Sequence, residues 1–273
     1  MTDTIKKIYI DSRYRTNGTD SDFKIDLPVV CNFSENTKLY ISDIILPNSI
    51  KTINANNGLI YIEIYYDSND WARYIFLERA IYTAAGFVAE LETKVNAGIL
   101  DLEVEVEVGY NAITNIITID LIDNRANQTT PAYVRFVSDY SLETGASIFG
   151  VITRPVSSNQ IIGLETEGGH AVTLISPYIG YLDLHSLRSI YITSSVLSTY
   201  DTLSNFGMSG IIKKVPMRAN TNEIVYDNLD SQFDFVEVGK RTVSYVDIQL
   251  RDTNNNIIDL QNTHISFTLI FSQ

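Results

Sequence analysis

The sequence has one cysteine, Cys31, and one tryptophan, Trp71, among its 273 residues. A single thiol closes no intrachain disulfide, so the fold must rest on a packed core, and a chain of this length needs no staple or structural metal to build one. Glycine-rich phosphate loops are missing as well. Neither G-x-G-x-x-G nor G-x-x-x-x-G-K-[ST] occurs, which argues against nucleotide-driven chemistry. No apolar run approaches the ~18 residues of a membrane-spanning helix. The first residues lack the basic and apolar regions of a secretory signal, so a soluble protein made in a reducing, intracellular setting is expected. The sequons at Asn17, Asn32 and Asn127 then read as Asn-rich turns. Charge is sparse at 19%, and basic residues are the scarcer kind, 20 against 33 acidic, for a net −13. That balance excludes broad capture of a phosphate backbone as the main activity. With 45% hydrophobic residues the chain should fold throughout.

What is present is a period-two pattern. Short segments rich in Ile, Val, Tyr, Thr and Phe alternate with polar residues and are bounded by Asn, Asp, Gly or Pro, an all-β signature. In Leu102–Val108 the apolar residues share one face, and Glu103, Glu105 and Glu107 share the other. Gly109–Ala112 reads as a turn into Ile117, Ile119 and Leu121, giving a hairpin. Further strands are expected at Ile5–Ile10, Phe23–Val29, Lys38–Leu46, Leu59–Tyr66, Tyr74–Glu78, Tyr133–Val137, Ala171–Ile175, Ser189–Thr193, Ile211–Val215, Thr242–Arg251 and His264–Phe271. One helix is expected, Ala84–Ala97, with Phe87, Val88, Leu91 and Val95 on one stripe, Thr83 as its cap and Gly98 ending it in a left-handed conformation. A shorter helical turn is read at Leu142–Phe149. No internal repeat or linker is evident. The whole predicts one domain over 1–273, an all-β single jelly-roll sandwich with a helix-bearing insertion.

Residue types that carry chemistry are scattered. Asp183 and His185 lie about 6.6 Å apart along an extended segment. That spacing suits two metal ligands, but no further His or Cys motif completes the set, and a polar pair on a wet strand accounts for them. Asp252–Asn256 has oxygen ligands at alternate positions, yet Ile257 and Thr263 stand where a calcium loop needs Gly and Glu, so a hairpin turn is the simpler reading. Ser209 does not sit in G-x-S-x-G, and Cys31 has no histidine near it in sequence. The three strand glutamates suit a glycosidase acid pair, whereas a solvated face that discourages edge pairing explains them too. Catalytic residues, metal ligands and cofactors are therefore assigned to none. Lys6, Lys7, Arg13 and Arg15 form a basic group at the N-terminus, countered by Asp3 and Asp11, and Lys213-Lys214 forms a second. The first is a candidate for contact with an acidic partner or nucleic acid, or a solvated arm. The 17 tyrosines suggest amphipathic aromatic surface of the kind buried between subunits, with ordinary sheet propensity as the alternative.

Read in order, the segments Ile10-Asp11-Ser12-Arg13-Tyr14-Arg15, Ser21–Pro28, Ile45–Asn54, Asn56–Ile62, the capped helix, Leu187–Ser194, Ile211–Pro216, Val246–Asp252, Ile258–Leu260 and Ile265–Leu269 form a series. That series resembles the penton, or minor capsid, proteins of virophages and polinton-like viruses. The stretch from about 122 to 182 has no counterpart in it and is read as an insertion or outer subdomain. The resemblance implies a non-enzymatic structural protein, a homopentamer plugging the fivefold vertex of an icosahedral shell beside a double jelly-roll major capsid protein. It would be made in host cytoplasm and located in the virion. Lys6, Lys7, Arg13 and Arg15 would then face the interior or a partner, including a local contact with packaged DNA. A carbohydrate- or receptor-binding sandwich, such as a viral spike or lectin, and an acid-pair glycosidase stand as the alternatives.

Overall fold

The computed structural model describes residues 5–54, 58–66, 69–126, 132–137, 166–167, 170–171, 178–184, 187–199, 202–204, 207–228, 231 and 233–272. In chain order the first strands are β1 (Ile5–Asp11), β2 (Asn17–Gly18), β3 (Asp22–Phe33), β4 (Lys38–Pro47), β5 (Leu59–Tyr66) and β6 (Asn69–Phe76). Helix α1 (Ala84–Gly98) comes next, then β7 (Val104–Asn111), β8 (Ile116–Asp123), β9 (Tyr133–Val137), β10 (Thr166–Glu167), β11 (His170–Ala171) and β12 (Tyr178–Tyr181). The chain finishes with β13 (Ser189–Thr193), β14 (Ile211–Pro216), β15 (Ile224–Asp227), β16 (Val236–Glu237), β17 (Arg241–Arg251) and β18 (Ser266–Ser272). Two compact units emerge: Met1–Ile50 with Leu187–Gln273, and Lys51–Ser186, inserted in sequence between β4 and β13. The all-β jelly roll with a helix-bearing insertion is what the chain forms.

In the first unit one sheet runs β1-β18-β4-β15, with β16 also on β4, and the other runs β14-β13-β17-β3-β2. Every pairing is antiparallel. Alternation turns Phe267, Leu269 and Phe271 of β18 and Leu39, Ile41, Ile44 and Leu46 of β4 inward. They meet Phe23, Val243, Val246, Ile248 and Leu250 in one cluster. Each such side chain contributes roughly 1.5–3 kcal/mol on burial. Two irregularities keep the parity right. In β4, Asp43 adopts φ 53 at a register shift, so Ile41 and Ile44, three apart, both face the core. In β17 a shift between Val243 and Tyr245 does the same, and β3 absorbs it by arching Leu27–Val30 opposite Ser244, with Pro28, which has no N–H to offer, inside the arch.

The second unit holds the sheets β12-β8-β7 and β6-β5-β9 and the short β10-β11 ladder. Ile60, Ile62, Ile64 and Ile75 pack with Val104, Val106, Val108, Ile117 and Ile119 around Phe87, Leu91 and Val95 of α1. Thr83 caps α1 as expected, its Oγ1 accepting the Gly86 N–H at 3.2 Å. Gly98 corrects its assigned role. It is the last helical residue rather than a left-handed stop, and a Cβ there would lie 2.2 Å from Ile75 Cδ1, so the end of the Ile75 side chain occupies the space the glycine leaves. Gly109 likewise sits within β7 against Thr118 rather than in the turn, which falls at 112–115. The expected strand at Tyr74–Glu78 begins earlier and closes at Phe76. Five short strands, β2, β10, β12, β15 and β16, carried too little alternation to be expected. The expected helical turn at Leu142–Phe149, most of the 122–182 insertion and residues 172–175 of one expected strand lie outside the described residues. Among the described residues no helix is long and apolar enough to cross a membrane.

Because β7 ends its sheet, its outer edge needs partners, and α1 supplies them with side chains. Asn96 donates Nδ2–H to Val106 O at 2.8 Å and accepts the Val106 N–H at 2.7 Å, and Glu92 Oε2 accepts the Val108 N–H at 3.0 Å. The helix thus takes the place of a missing strand and closes the edge to other chains. Asn96→Ala strands both Val106 backbone groups and should cost about 1–3 kcal/mol, read as an earlier urea transition. Asn96→Asp, which keeps only the acceptor, should recover part of that.

Candidate functional site

The four N-terminal bases are separated by what each touches. Arg13 grips Asp11 with Nε 3.0 Å from both carboxylate oxygens and Nη2 at 2.6 Å, and this pair caps the short 3-10 turn Ser12–Tyr14. The guanidinium, chiefly by its hydrogen bonds, holds the Asp11 carboxyl below the usual range. Arg15 pairs with Asp20 at 2.7 Å and donates to Ser12 O and Gly18 O. His264 Nδ1 lies 3.1 Å from the same Asp20 oxygen, and the buried Ser12 Oγ accepts the Ile265 N–H. These contacts stitch the end of β1 to the start of β18, so the two arginines are structural and locally neutralised. Lys6 and Lys7 remain. Lys6 lies 5.7 Å from the Phe33 ring, at the end of the sandwich, and Lys7 is exposed in the outer row with Ile270 and Tyr40.

The second basic pair divides too. Lys214 is exposed, but Lys213 is buried and paired with Asp227 of β15 at 3.6 Å and with Asp234, joining the two sheets at one side of the sandwich. The Lys-Lys run in sequence signalled a surface patch, and only the inward register of β14 reveals the buried member. Lys213→Ala leaves the half-buried Asp227 without its cation and should cost about 1–3 kcal/mol by thermal or denaturant unfolding. Lys213→Met with Asp227→Leu should recover most of it.

Asp247, in β17, was not singled out in the sequence. Burial pushes its carboxyl up, but hydrogen bonds from the hydroxyls of Ser195 and Ser194 and the N–H groups of Val196 and Ser195 outweigh that and hold it below the ordinary aspartate value. It therefore organises the turn after β13. With a depressed folded-state pKa, this stabilisation is present above about pH 4 and lost as pH falls through the lowered value. Asp247→Asn should flatten the acid limb of stability against pH between about 2 and 5, measured as urea midpoints.

The remaining candidates resolve into structure. Asp252 spends both oxygens on Asn256, with Arg251 bonded to Asn255, so that loop is a self-contained turn. Cys31 is buried, its thiol 3.7 Å from Val29 O, and Ser209 is exposed at a bridge to Leu203. Glu105 and Glu107 share the exposed face of β7, while Glu103 precedes the strand at φ 54. His185 lies outside the described residues, and among these no group of three or more His, Cys, Asp or Glu side chains is placed to hold a metal ion. Aromatic surface is more prominent. Tyr9 and Tyr226 stand exposed on the outer face of the β1-β18-β4-β15 sheet, and Tyr74 and Phe76 are exposed on β6.

No family model matches the chain, and no curated protein matches it. Among solved structures it is similar to the mavirus penton protein, at 12% identity over all of both chains with a TM-score of 0.54. A chain in the cryo-EM structure of the Sputnik virophage aligns with 98% of this chain and 97% of its own, at 12% identity and a TM-score of 0.46. The likeness read from the ordered segments is thus met at the level of architecture: end to end, this chain has the fold of the mavirus penton protein.

Proposed function

We propose that the chain is a structural capsid protein that forms the pentameric vertex of an icosahedral virus-like shell, set beside a double jelly-roll major capsid protein and requiring no catalysis. The observation that carries this reading is the end-to-end likeness of fold to the mavirus penton protein. Charge distribution supports it. The inserted unit holds 17 acidic against 7 basic residues, net −10, while the jelly-roll unit holds 16 against 13, net −3. A nearly balanced sandwich can pack closely against copies of itself, whereas a strongly acidic unit resists both self-contact and DNA. In this reading the whole of 1–273 is one protomer, and the segment near 122–182 is an outer insertion. Residence in the virion after synthesis in host cytoplasm follows from the role. Of the basic N-terminal group, Lys6, Lys7, Arg13 and Arg15, the two arginines are held by Asp11 and Asp20, and Lys6 and Lys7 are the members turned to a partner or to packaged DNA. Ring closure would use a heterologous contact, two different surfaces of each copy meeting head to tail.

The test is native mass by light scattering over a wide concentration range, with negative-stain imaging of any large species. Five protomers with ring-shaped views are expected. Monomers or dimers at every concentration, alone and with the major capsid protein added, would overturn the reading and direct attention to glycan binding.

A further inference from the structure

The β1-β18-β4-β15 sheet ends on two edges that complement each other. Among the described residues β1 pairs only with β18, and β15 and β16 pair only with β4, with Thr199 Oγ1 donating to the Glu237 carbonyl of β16. Such edges are normally blunted or covered. The β1 edge is cationic, through Lys6 and Lys7, because Asp11 is already matched by Arg13. The opposite edge is anionic. Glu223 and Glu237 are exposed there, Glu237 opposite Lys38 of β4, and Asp227 and Asp234 share Lys213, so acidic groups outnumber basic ones. Both edges also carry apolar surface in water: Ile5 at 62% and Tyr9 at 77% on one side, Ile224 at 63%, Tyr226 at 61% and Phe233 at 76% on the other. Strand direction is compatible as well. Direction reverses at each step from β1 to β15, so the β1 of a second copy, laid beside β15 in the same orientation, continues the antiparallel ladder.

We infer that the chain recognises a second copy of itself by these edges, the β1 edge of one docking on the β15–β16 edge of the next. The contact joins two different surfaces, as a closed ring of identical subunits requires. It rests on the homo-oligomeric reading above and assigns Lys6 and Lys7 to the partner copy. Charge supplies direction, since two β1 edges repel each other and so do two acidic edges.

The experiment is charge reversal followed by restoration in the full chain, read as the concentration at which the oligomer dissociates in light scattering. The K6E/K7E variant should dissociate at a concentration at least about tenfold higher than the unaltered chain, and so should E223K/E237K. Combining all four reversals in one chain again sets opposite edges against each other and should bring the value back to within about threefold. Circular dichroism melts establish that each variant is folded, and K6Q/K7Q with a salt titration serves if a reversal melts early. If the unaltered chain assembles and the reversals leave it unchanged, or if the fourfold variant is no better than either pair, the edge contact is wrong and the oligomeric reading stands. If the unaltered chain is monomeric throughout, both fail.

Discussion

Everything in the jelly-roll unit depends on β18 lying between β1 and β4. That arrangement makes the last strand of the chain the centre of a sheet whose other members come from the first 50 residues and from 224–237. Pairings this distant must offset the loop-closure entropy of everything between them, including the inserted unit. They do so by enclosing Phe267, Leu269 and Phe271 completely, with Phe271 stacked on Phe33 at 4.2 Å across the two sheets. The Asp20–Arg15–His264 group and Ser12 then fasten the N-terminal turn to the entry of β18.

The charges follow a related division of labour. Arg13, Arg15, Lys213 and Arg125 are each matched by nearby aspartates, and their contribution is local order rather than surface potential. Once these pairs are discounted, less of the basic charge is free to act between molecules. For that reason Lys6 and Lys7 weigh more in the association proposed here than a count of basic residues suggests. In the inserted unit, edge management takes another form, since Asn96 and Glu92 complete the β7 backbone and leave the exposed glutamates to solvent.

Much of this was legible in the order of residues. Leu59–Tyr66, Tyr133–Val137 and Ser189–Thr193 occupy the bounds their alternation indicated, and α1 begins at its Thr83 cap. Period two and a capped apolar stripe are local properties, settled within a few residues by where successive side chains point. The basic group at the N-terminus was also visible, but not its division, because Arg15 meets Asp20 only when the turn between β1 and β3 has formed, where His264 approaches the same carboxylate. Short strands such as β15 escaped notice, since four residues between Asn- and Asp-rich segments become a strand only when β4 offers an edge.

The sequence by itself determined the class of fold, the strand faces and the helix, since these follow from the spacing of apolar side chains along the backbone. Tertiary structure alone decided that Gly98 makes room for Ile75, that Lys213 is buried between two aspartates, that Asp247 organises a distant turn, and which strands end each sheet. Those outcomes turn on contacts between residues far apart in the chain, fixed by register and packing, and local pattern carries no information about which distant partner arrives.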